Sequence, residues 1–206
     1  MSSVDLLGIH PLFYSPLSIL RLKAHEEIKA LLLDEIRDLR KQDQGVIRSN
    51  WSGWHSESDL FQLNTPGMVK VQTAIVEAVQ SVTTQLVPGF DWANNQIQAE
   101  GWVNVLGTSG MNTPHDHPAW VWSGCYYLNL PQTDNEFSGS IEFMDVRTGI
   151  RTLTLDGASC FEGKFRVKPE EGMLLIFPSY LRHWVYPNDS MDERVTIAFN
   201  LRYLSP

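Results

Sequence analysis

The sequence predicts an α+β, mainly β protein in which short strands form a sandwich or barrel backed by helices. Two observations carry that expectation. Before residue 90 two stretches repeat apolar residues every three to four positions, and after Phe90 the texture changes to short β-branched and aromatic runs separated by turn residues. Composition is the third: hydrophobic residues make up 43% and charged residues 19% of 206 positions, which is globular and sufficient for a core. One domain over 1–206 is expected, with 1–90 as a helical amino-terminal part and 91–206 as the β core.

The first helix is expected from Ser18 to Asp38, where Leu20, Leu22, Ile28, Leu31, Leu32, Ile36 and Leu39 alternate with charges, ending near Gly45. The stretch Ser49–Ser56 carries Trp51 and Trp54 without periodicity and reads as an ordered loop. A second helix follows from Pro66 to Gln85, with Met68, Val71, Ile75, Ala78, Val79 and Val82 on one side, and stops before Pro88-Gly89. Strands are then expected at Ile97–Leu106, Val121–Leu130, Ser140–Asp145, Arg151–Leu155, Met173–Phe177, Arg182–Tyr186 and Val195–Tyr203.

Charge narrows the function. Sixteen Lys and Arg against 24 Asp and Glu leave a net −8, and no basic cluster exceeds a pair, so neither nucleic acid nor an anionic membrane surface is an expected partner. No apolar run approaches the ~18 residues of a membrane span, and Cys125 and Cys160 form no ligand or redox motif. A cytoplasmic protein is expected.

Three of six histidines lie in the β-rich part. On an extended strand His115 and His117 share a face while Asp116 points opposite, so the two imidazoles form a chelating pair at a strand end flanked by Pro114 and Pro118. Glu171-Gly172 turns into the buried run Met173–Pro178, which delivers Arg182-His183-Trp184. Eleven residues past His183, Arg194 and Thr196 share a strand face. His10, His25 and His55 read as structural or solvated.

These residues, in this order, resemble the Fe(II)- and 2-oxoglutarate-dependent oxygenases, nearest to a small subfamily from bacteria and marine phages. The resemblance is carried by Trp51–Ser56, Trp102/Asn104, His115-x-His117-Pro118, Ser123-Gly124-x-Tyr126-Tyr127, Glu171-Gly172…Phe177-Pro178…His183 and Arg194-x-Thr196…Asn200. It implies a double-stranded β-helix (jelly-roll) core and a ferrous ion held on one triangular face. It also implies 2-oxoglutarate as cosubstrate, decarboxylated to succinate while O2 hydroxylates a C–H bond of an amino acid, a peptide or a small metabolite.

The usual ligand pattern is His-x-Asp/Glu with a distant His, and this sequence departs from it. Either His115, His117 and His183 are the ligands, or Asp116 turns inward in place of His117; alternation favours His117. Arg194 with Thr196 matches the clamp for the distal carboxylate of 2-oxoglutarate, a fork-shaped guanidinium beside a hydroxyl. One of Tyr126 and Tyr127 faces that carboxylate, with Tyr126 preferred on parity with Gly124 and Leu128, and Asn104 is a further candidate. Trp51, Trp54 and Trp120 are candidates for substrate contact, and the tryptophan-rich stretch would serve a homodimer contact equally well. The alternative is a cupin-like three-His metal dioxygenase or metal-binding protein that makes no use of 2-oxoglutarate; such a protein has no need of Arg194-x-Thr196.

Overall fold

The computed structural model of the chain describes residues 7–10, 12–147, 155 and 158–204. Nine strands and two helices are described: β1 (Ser18–Arg21), α1 (His25–Gln42), β2 (Asn50–His55), α2 (Pro66–Leu86), β3 (Gln96–His115), β4 (Trp122–Asn129), β5 (Ile141–Met144), β6 (Lys164–Val167), β7 (Met173–Pro178), β8 (His183–Val185) and β9 (Arg194–Leu204). The strands join in one curled antiparallel sheet of order β1-β7-β4-β9-β3-β8-β5-β6, with β2 alongside β3. β3 spans both halves. Its first part pairs with β9 from Gln96↔Leu204 to Leu106↔Arg194, and its last residues pair with β8 across a register shift. This is the jelly-roll that the resemblance implies, and a form of the helix-backed sandwich or barrel expected from the residue pattern.

α1 buries His25, Ile28, Leu32 and Ile36 at helical spacing, with Glu26 and Glu27 in its first turn and Arg40 and Lys41 in its last, as the helix dipole favours. α2 opens with Pro66 and buries Met68, Val71, Ile75, Val79 and Val82. Glu35 of α1 caps it by accepting from the backbone N–H groups of Gly67 (2.8 Å) and Met68 (3.0 Å). Both helices pack on one face of β1, β7, β4, β9 and β3 around Val103, Val105, Tyr126, Leu128, Ile176, Ile197 and Leu201. The opposite face of the same strands closes over a second core of Leu106, Tyr127, Ile141, Phe143, Leu175, Phe177 and Val185. Period-two alternation therefore sorts successive residues into two interiors.

Three expectations need correction. Ser18–Arg21 is a strand, not helix: Leu20 pairs with Leu174 and only alternate residues are covered, so the apolar residues before His25 follow period two. Asn50–His55 is a strand, not a loop; its left-handed Ser52 (φ +53°) and a register shift between Trp51 and Gly53 break the alternation that would have announced it. Lys164–Val167, paired with β5, was not expected as a strand. The strand expected at Arg151–Leu155 falls, but for Leu155, outside the described residues. Among the described residues no helix is long and apolar enough to cross a membrane.

Candidate metal and cosubstrate site

His115 is the last residue of β3 and stands directly opposite His183 of β8. His117 lies two residues beyond, its backbone N–H held by the carbonyl of Ser179 at 3.0 Å. One ring nitrogen from each of the three imidazoles lies within 4.8 Å of the others. Asp116 is exposed and stands outside this cluster, so it does not turn inward as the alternative ligand set required. Phe177 packs against His183 edge-on at 4.8 Å, and Trp102 leans on His117 at 5.7 Å with His55 stacked behind it at 5.4 Å.

Taking these rings out of water disfavours their charged forms. Desolvation, reinforced by the neighbouring imidazoles, lowers His183 to about 3 and His117 to about 4, and burial lowers His115 as well. Neutral imidazole is the form that ligates a metal. His115 Nδ1–H donates to the Thr113 carbonyl at 2.6 Å and His183 Nδ1–H to that of Leu181 at 2.9 Å, leaving a lone pair on Nε2 of each ring.

The other end of the cavity is built from β9 and β4. Arg194 is 1% exposed. Its Nε donates to the Gly139 carbonyl (3.2 Å) and one terminal nitrogen to Thr196 Oγ1 (3.3 Å). The second terminal nitrogen has no partner, and no carboxylate among the described residues pairs with the guanidinium. The buried hydroxyl of Tyr127, whose ring lies 5.2 Å from the guanidinium carbon, and the buried Oδ1 of Asn104 are also unpartnered. Burial pushes the Tyr127 phenol far above its usual value, so it is a neutral donor. Asn104, His115, His117, His183, Arg194 and Thr196 all line one cavity.

The structure reverses the preference between the tyrosines. Tyr126 points to the helix-packed face, its hydroxyl 2.7 Å from His25 Nδ1, while Tyr127 lies in the second core, on the side of Cys125, which lines the cavity. The parity argument chose the wrong companions: a Cβ on Gly124 would stand 2.2 Å from the Phe199 ring, so Gly124 marks the tightly packed side. None of the three tryptophans singled out lines the cavity. Trp51 pairs with Met111 on the outer face and is 68% exposed; Trp54 lies opposite Val105 on the helix side, donating to the Asp43 carbonyl at 3.1 Å; Trp120 lies under Arg202. The cavity's aromatic lining is Phe177, Phe199 and Trp102, and Trp102 stands two residues before Asn104 and so on its face. Cys125 also lines the cavity, its thiol pushed up by burial; Trp102 and Cys125 were legible by parity from Asn104 and Tyr127.

The donor set fits a divalent metal beside a dianionic ligand. Three neutral imidazoles converge at one end, and an arginine buried without a counter-charge stands with an unpartnered phenol at the other. A buried cation left in that state is costly, and a carboxylate would satisfy the orphaned N–H and O–H groups together.

Residues 100–200 match the family described as "Putative 2OG-Fe(II) oxygenase". Among solved structures the chain is similar to a Pseudomonas putida prolyl-4-hydroxylase, at 16% identity and a TM-score of 0.61, covering 91% of this chain and 92% of that one. It is similar to a Trichoplax adhaerens prolyl hydroxylase in complex with a hypoxia inducible factor oxygen degradation domain peptide fragment (13%, 0.61, covering 92% and 83%). The non-heme alpha ketoglutarate dependent epimerase SnoN from nogalamycin biosynthesis aligns at 13% identity and 0.64, covering 91% and 78%. No curated protein sequence matches. The fold is a jelly roll, and the matched stretch, which holds all three imidazoles and Arg194, is similar to the 2OG-Fe(II) oxygenases, a class of oxidoreductases.

Proposed function

We propose that the protein is a 2-oxoglutarate- and Fe(II)-dependent dioxygenase that hydroxylates a C–H bond of an amino acid, a peptidyl side chain or a small metabolite. The observation that carries this reading is Arg194, fully buried with no acidic partner and one terminal nitrogen unpartnered, its guanidinium carbon 5.2 Å from the ring of Tyr127, whose buried hydroxyl is also unpartnered. In the reading, Arg194, Thr196 and Tyr127 hold the distal carboxylate of 2-oxoglutarate, Asn104 lies along its path, and His115, His117 and His183 hold iron.

When bound, iron and 2-oxoglutarate together activate O2, one oxygen atom entering succinate as CO2 leaves and the other entering the product as a hydroxyl. The chain's own residues set the conditions for that chemistry. The Nδ1–H bonds to the Thr113 and Leu181 carbonyls hold two rings with Nε2 free. Phe143, Phe177 and Trp102 surround the imidazoles with apolar surface that excludes water. Tyr127 keeps its proton and donates a hydrogen bond to the carboxylate. A cupin-like site that uses O2 alone would share the three imidazoles but leaves the buried guanidinium without a purpose.

Anaerobic addition of Fe(II) and then 2-oxoglutarate should give the weak visible charge-transfer band of the chelate, and succinate should accumulate in air with substrates from a panel of amino acids, peptides and metabolites. Iron binding with neither the band nor succinate release at saturating 2-oxoglutarate would overturn the proposal in favour of the cupin-like one.

A further inference from the structure

The three imidazoles are not equivalent. His115 and His183 each donate Nδ1–H to a backbone carbonyl, which leaves Nε2 bare. The Nδ1 of His117 instead meets the side-chain nitrogen of Asn200 at 3.4 Å. An amide nitrogen only donates, so His117 Nδ1 must accept, and a neutral ring that accepts at Nδ1 carries its proton on Nε2.

The orientation of that amide is set chiefly by the carboxylate across the sheet. Asn200 sits on β9 opposite Glu100 of β3 and Ser123 of β4. Its nitrogen donates to Glu100 Oε1 at 2.8 Å, an acceptor only, and its oxygen accepts from Ser123 Oγ at 2.6 Å. Turning the amide over would set its carbonyl oxygen against the Glu100 carboxylate.

We infer that Glu100, acting through Asn200, is a positioning residue that holds His117 of the metal-free protein as its Nε2–H tautomer, so that metal binding through Nε2 of His117 requires its proton to move to Nδ1 and the Asn200 amide to turn over. Two ligands are ready and the third is latched. The chain thus places the Glu100 carboxylate one residue removed from the His117 ring, where it opposes loading instead of assisting it. This rests on the proposed three-His ligand set.

The test uses the full chain, 15N-labelled and metal-free at neutral pH, with long-range 1H–15N spectra of the histidine rings. His115 and His183 should show the Nδ1–H pattern and His117 the Nε2–H pattern, and Zn(II), a redox-silent probe, should invert His117. Glu100→Gln, which can present a donor to a turned amide, should move metal-free His117 toward Nδ1–H and tighten Zn(II) about tenfold in a chelator competition. Asn200→Asp, an acceptor only, should give Nδ1–H outright. Wild-type His117 found as Nδ1–H, or found unchanged in both variants, would overturn the latch. Rings that ignore Zn(II) and Fe(II) alike would overturn the ligand set itself, whereas rings that bind metal with no tautomer difference among them overturn the latch alone.

Discussion

Along β9, Val195, Ile197 and Leu201 are sealed against the helices, while of their immediate neighbours Arg194 and Thr196 line the cavity and Asn200 reaches His117. β4 repeats the division with Tyr126 and Tyr127. Both faces are buried to the same degree, yet they differ in how far their polar groups are satisfied. Of four buried side-chain atoms without a hydrogen-bond partner among the described residues, three belong to Asn104, Tyr127 and Arg194 on the cavity face. The fourth, His25 Nε2, lies 3.8 Å from a carboxylate oxygen of Glu171. A folded protein rarely leaves such groups orphaned, so the difference between the faces separates what holds the fold from what awaits a ligand.

Arg194→Leu puts that separation to its hardest test. 2-Oxoglutarate affinity of the metal-loaded protein should fall by about 2–5 kcal/mol in calorimetry while metal binding persists. The metal-free chain should become more stable to denaturant, because an unpaired buried charge is gone. A destabilised chain with unchanged cosubstrate affinity would break the comparison. Ile197→Ala, three residues on and facing the helices, should do the reverse: about 2–5 kcal/mol of stability lost from a fully packed position, with cosubstrate affinity of the folded protein unchanged.

The tyrosine pair sharpens the contrast. Tyr127→Phe should weaken 2-oxoglutarate by about 1 kcal/mol and leave the denaturation midpoint unmoved or raised, whereas Tyr126→Phe should cost about 1 kcal/mol of stability and leave cosubstrate binding alone. The smallest effect belongs to Glu142, on the outer side of β5. Its burial raises the carboxyl, but bonds from Lys164, Trp184 and Tyr186 outweigh this and hold it below 4.5. Its folded value lies below its unfolded one, so the stabilisation is present above pH 4.5 and is lost as pH falls through the folded value. Glu142→Gln should therefore cost about 1 kcal/mol at pH 7, a difference that shrinks as pH falls below 4.5 in paired denaturant titrations.

How much of this could be read beforehand follows the same division. α2 was legible almost to the residue because its stripe from Met68 to Val82 has one period and one partner face. Strand alternation made legible that His115 shares a face with His117 and Arg194 with Thr196, whereas grouping His183 with them came from the family resemblance. Strand faces were harder where both sides are buried, since Tyr126 and Tyr127 look alike when each contacts a core. β2 escaped because a left-handed Ser52 interrupts its alternation, and with it went the knowledge that Trp51 and Trp54 face away from the cavity. The bond from Asn200 to His117 joins residues 83 apart in sequence, and such a pairing follows from sheet order, not from local pattern.

Gly139 has a consequence of its own. It adopts φ +62°, and a Cβ there would stand 3.0 Å from Cδ and 3.1 Å from Nε of Arg194. On the proposed reading, the span from that guanidinium to the imidazoles is a gauge for the length of the keto diacid. The back stop of the gauge is a hydrogen atom, so any side chain introduced at this one backbone position would push the arginine forward and recalibrate which diacid fits.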